Sequence, residues 1–137
     1  MGRLKDLPRC EQRLKGAPTL DDIHRLLFYA GVAFAAAGIG WSLVLVAAGR
    51  AGGPTFDRFQ AAVVSVLIVG GVSGLVMLSA GSRPSEGLHL LYAIVAITLI
   101  PLARSFVGRA QGRRASLLLL AGFVVLGAVM YRLYTTG

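Results

Sequence analysis

Residues 59–80 read FQAAVVSVLIVGGVSGLVMLSA, a run of 22 positions without a charged side chain. At 1.5 Å of rise per residue such a run is roughly 30 Å long as a helix, the thickness of a bilayer's hydrocarbon core. Three further runs of similar length flank it, at residues 26–48, 87–106 and 115–133, and no acidic residue falls inside any of the four. The third is marginal, since its uncharged stretch, residues 88–103, ends at Arg104, which must snorkel to the surface. The pattern predicts an all-α integral membrane protein: a four-transmembrane-helix bundle over residues 20–137, with short connectors and a basic N-terminal tail over residues 1–19.

Composition agrees. A chain of 137 residues that is 55% hydrophobic, with a mean hydropathy of +0.71, is too apolar for an ordinary soluble domain. Four spans use up most of its length. The net charge of +8 would suggest nucleic acid in a soluble protein. Here the cations lie in the tail and the connectors, so their expected counter-charges are anionic lipid headgroups and acidic subunits of a membrane complex, not nucleic acid. Twelve of the 14 cations are Arg, which with abundant Ala and Gly fits a GC-rich bacterial genome. Cys10 is the sole cysteine, so an intramolecular disulfide and a cysteine-based metal site are not expected. Arg9 before it does not fit a lipoprotein cleavage site. The polar first twenty residues, followed by a run long enough to span, speak against a cleavable leader.

The tail scatters Leu4, Leu7 and Leu14 among Arg3, Lys5, Arg9, Arg13 and Lys15. It reads either as a short amphipathic piece on the membrane surface or as a segment ordered by a partner. Thr19 followed by Asp21 and Asp22 predicts a helix start near Leu20. The connectors carry Gly53-Pro54, Arg83-Pro84 and Gly108 to Arg114, and their shortness makes neighbouring spans antiparallel. With both ends cytoplasmic, the tail, Arg25, Arg83 and Arg132 place eight cations inside, against six outside. The positive-inside rule then favours N-in and C-in at a bacterial inner membrane.

In lipid, helices associate through close backbone approach. Gly70 and Gly74 give the second span a small-xxx-small contact, and Ala33, Ala36, Ala37 and Gly40 do the same for the first, within the chain or against another subunit. Pro101 should free the carbonyl of Ile97 and bend the third span. Trp41, Tyr29, Tyr92, Tyr131 and Tyr134 read chiefly as interfacial anchors. Arg104, Arg109, Arg113 and Arg114 form a basic group for lipid or partner.

Few residues can carry chemistry. His24 and His89 each open an odd-numbered span, in similar surroundings that suggest a two-plus-two repeat, so both should lie near one membrane face. A b-type haem ligated by both imidazoles is one expectation, because low-spin haem takes an axial ligand from each of two helices. Tyr92 beside His89 could also give an apolar groove its polar handle for a quinone or pigment. A small transporter is disfavoured, since Asp57 and Glu86 lie in connectors and no acid stands at the midplane. Ser42, Ser65, Ser73 and Thr98 are the polar side chains expected at depth, with no base beside them, so catalysis by this chain alone is not expected.

Gly87-Leu88-His89-Leu90-Leu91-Tyr92, then Leu99-Ile100-Pro101-Leu102-Ala103 and the ending Thr135-Thr136-Gly137, resemble a pattern in small uncharacterised four-helix membrane proteins of GC-rich bacteria. The resemblance covers mainly the second half and brings no activity or site residue with it. The expectation is a non-catalytic accessory subunit of a membrane complex of respiratory or photosynthetic electron transfer, with a small bis-histidine haem carrier as the alternative.

Overall fold

The computed structural model describes residues 18–81, 87–108, 110 and 112–136. These form four helices, α1 (Leu20–Ala47), α2 (Pro54–Ser79), α3 (Leu88–Val107) and α4 (Arg113–Thr136), with no strand among the described residues. Each is long and apolar enough to cross a bilayer. The tail with Cys10, the connector at 82–86 and Arg109 lie outside the described residues.

Local signals set the helix ends. The Thr19 hydroxyl accepts from the Asp22 backbone N–H, and the Asp22 carboxylate accepts from the Thr19 N–H, a reciprocal capping box that starts α1. Pro54 occupies the first turn of α2, where its missing N–H costs nothing. Gly49, at φ +65°, lets the Arg50 N–H fold back onto the Leu45 carbonyl and stop α1. At the start of α4 the Ser116 hydroxyl, fully buried, donates to the Arg50 carbonyl and ties this connector to the other hairpin.

The helices form a ring. Each packs on its neighbours in sequence, α4 closes on α1, and the diagonal pairs α1/α3 and α2/α4 make no close backbone approach, meeting only through core side chains such as Phe56 and Phe123. The most buried element is α4, whose inward stripe of Leu119, Phe123, Leu126 and Met130 fills the centre with Val63, Leu67, Ile100 and Ala35. Large apolar side chains such as Leu26, Val44, Val69 and Leu102 face outward.

Glycines fix the helix contacts. On α2, a Cβ at Gly70 would meet the Leu27 Cβ at 3.7 Å, and one at Gly74 would meet the His24 ring at 3.2 Å, so this pair faces α1. On α1 the inward face differs from the one expected for packing within the chain. Gly31, Ala35, Gly38 and Ser42 are buried, while Ala33, Ala36, Ala37 and Gly40 are exposed. Both faces of α1 are small; the inward one is chosen because Phe123, Met130 and Leu67 seat their bulk against Gly38 and Gly31. Trp41, read as an interfacial anchor, is half-buried in an aromatic cluster, its ring centre 5.2 Å from that of Phe56 and 5.4 Å from that of Phe59. Tyr29, Tyr131 and Tyr134 are exposed.

Candidate histidine site at one end of the bundle

Up-and-down connectivity brings the first turns of α1 and α3 and the last turns of α2 and α4 to one end of the bundle. In each hairpin a histidine near the start of the first helix meets a hydroxyl near the end of the second. His24 Nδ1 lies 2.9 Å from Ser73 Oγ, and His89 Nδ1 lies 3.5 Å from Thr136 Oγ1. The partners are 49 and 47 positions apart in sequence, so the two hairpins build corresponding contacts. The second is long for a hydrogen bond and weaker than the first.

Thr136 donates to the Arg132 carbonyl at 2.9 Å. Ser73 donates to the Gly70 carbonyl at 2.7 Å, so its oxygen is left to accept from the His24 Nδ1–H, which puts that ring's lone pair on Nε2. This is the form a metal-bound imidazole takes, with its other N–H held by a protein acceptor. The absence of a side chain on Gly74 gives the His24 ring its place against α2.

Space is less favourable than ligand chemistry. Helices α1 and α3 stand on a diagonal with no close backbone approach, and neither of two cavities along the helix faces is lined by His24 or His89. One, of about 340 Å³, is an apolar groove between α1 and α4 bordered by Phe28, Tyr29, Met130 and Tyr134. The other, of about 470 Å³, lies between α2 and α3. Tyr92 is half-buried against the core one turn beyond His89. Among the described residues no group of three or more His, Cys, Asp or Glu is gathered.

The basic group divides. Arg104 pairs with Asp57 at 3.4 Å, both half-exposed, whereas Arg113 and Arg114 open α4 and are exposed; Arg109 lies outside the described residues. Sequence reading overlooked Gln60 and Ser116, buried to 1% and 0% exposure. Gln60 sits inside the quoted apolar run, and its polarity there was the available signal. Of the four polar residues expected at depth, Ser65 and Thr98 are exposed, each donating to a carbonyl of its own helix, while Ser42 and Ser73 are buried.

No protein-family model, curated protein or solved structure matches the chain.

Proposed function

We propose that this chain is a four-span protein of a bacterial inner membrane, working as a non-catalytic accessory subunit of a larger membrane complex of respiratory or photosynthetic electron transfer. The observation that supports this best is the outward face of α1. Ala33, Ala36, Ala37 and Gly40 are exposed, and a Cβ added at Gly40 would meet nothing within 4 Å. A small-residue stripe gains little from lipid, but lets the backbone of another transmembrane helix approach closely. Its partner in this reading is a helix of a neighbouring subunit, with anionic lipid around Arg104, Arg109, Arg113 and Arg114. The excess of cations on the side of the tail favours cytoplasmic termini.

Gentle detergent extraction and native gels test this reading, with co-purifying chains identified by mass spectrometry. Migration within a defined larger assembly is expected, and Ala36→Leu should release the chain while leaving its own melting temperature unchanged. A chain that runs alone under every mild condition sinks the proposal.

The two imidazoles at one end of the bundle, each against a hydroxyl, favour a second reading, a b-type haem held between His24 and His89. That haem would supply one-electron chemistry; the chain would supply the two axial nitrogens and, through Ser73 and Thr136, their orientation. A reduced b-type α-band that vanishes in His24→Ala and in His89→Ala is expected. A spectrum without that band removes it.

A further inference from the structure

We propose that the cavity between α2 and α3 binds the reduced head of a membrane quinone, a quinol, with Gln60 as the acceptor for one of its hydroxyls. The proposal goes beyond the subunit reading and does not depend on it, because it concerns binding by the isolated chain.

The cavity, about 470 Å³, is walled by Gln60, Ala61, Val64, Ser65, Pro101 and Arg104. Gln60 is 1% exposed, and its Oε1 has no hydrogen-bond partner. A buried acceptor left unmatched is costly, so the site calls for a donor. Arg104 carries donors at the rim, where it pairs with Asp57, but two other wall residues repeat the bias. Ser65 already gives its proton to the Ala61 carbonyl at 3.0 Å, leaving only acceptor capacity on its oxygen. Pro101 has no N–H to give to the Ile97 carbonyl.

Depth and access narrow the donor. Gln60 stands six residues into α2, roughly 9 Å below the helix start at 1.5 Å per residue. Ala61, Ser65, Pro101 and Arg104 are exposed, so the cavity opens sideways, away from the core. A ligand entering there comes through the hydrocarbon and must be neutral at its deep end. A phosphoglyceride offers only ester carbonyls at that level, and these accept. A fatty acid beside Arg104 would ionise and lose its donor. A quinol carries two neutral hydroxyls on a flat ring. One reaches Gln60 Oε1, and the other finds the charged pair of Arg104 and Asp57 at the rim.

Trp41 provides the readout. It is the chain's single tryptophan, and it packs on Phe59, the residue before Gln60. Full-length protein in phosphatidylcholine nanodiscs under argon would be titrated with a decyl-substituted benzoquinol. Saturable quenching of Trp41 is expected, at least tenfold tighter for the quinol than for its quinone or its dimethyl ether. Gln60→Leu keeps the volume and removes the orphan acceptor, and should weaken quinol binding at least tenfold with the helical circular dichroism unchanged. Gln60→Met serves if the first variant fails to fold. Equal saturable curves for wild type and variant, equal binding of the ether, quenching that never saturates, or loss of binding in phosphatidylglycerol nanodiscs would each overturn the proposal, the last by giving the cavity to a lipid headgroup.

Discussion

The ring of Phe123 occupies the space where a side chain on Gly38 would stand: a Cβ built on Gly38 would lie 2.3 Å from Phe123 Cδ1 and Cε1. Phe123 is itself fully buried and packs on Phe56 and Phe59, so it has nowhere to retreat. Gly38 is therefore the tightest point of the α1/α4 contact. Gly38→Ala should destabilise the chain by about 1–3 kcal/mol, the usual cost of overpacking a filled core. Thermal unfolding in detergent would measure it.

Gly40→Ala provides the contrast. Nothing lies within 4 Å of an added Cβ there, and alanine favours helix over glycine. The melting temperature of the isolated chain should hold or rise slightly. If it falls as far as that of Gly38→Ala, the assignment of inward and outward faces on α1 is wrong.

His24 and Ser73 should couple across α1 and α2. Interhelical hydrogen bonds in membrane proteins are worth about 0.6 kcal/mol on average. A double-mutant cycle with His24→Ala and Ser73→Ala should return about that value, and the equivalent cycle for His89 and Thr136 less, because that contact is 3.5 Å long. Full additivity in both would dissolve the matched pair.

Ser116→Ala leaves the Arg50 carbonyl without its hydroxyl donor, at a position where Ser116 is fully buried. The expected cost is about 1–2 kcal/mol, with the loss felt first as faster amide exchange around Arg50 and the start of α4. Unchanged exchange there would mean that the two connectors are not held by this bond.

Asp57 and Arg104 should contribute little. They are 53% and 44% exposed and 3.4 Å apart, in the range where exposed ion pairs give about 0–1 kcal/mol. Asp57→Asn should shift the unfolding midpoint only marginally, and less still at high salt. A large shift would indicate that the pair is buried by a partner in the material measured.

Helix count, antiparallel order and the α1 start were readable directly from residue type. Period and length of the apolar runs need no tertiary information, and the box of Thr19 and Asp22 closes within one turn. Gly70 and Gly74 were equally legible, because two glycines one turn apart have few other uses in an apolar helix. The face used by α1 was not. Two small-residue stripes share that helix, and choosing between them requires knowing where Phe123 and Met130 arrive from, more than eighty residues away. Gln60 was hidden for a related reason: one polar residue at the mouth of a long apolar run reads as part of the interface until a neighbouring helix buries it.

What the linear chain determined is the solvent it suits and the number of helices, since both depend on local hydropathy summed over about twenty positions. What only the three-dimensional ring decided is which hydroxyl holds each histidine, which glycine admits Phe123, and which polar atom is left without a partner. Those are contacts between distant segments, and their energies exist only once the helices have chosen their faces.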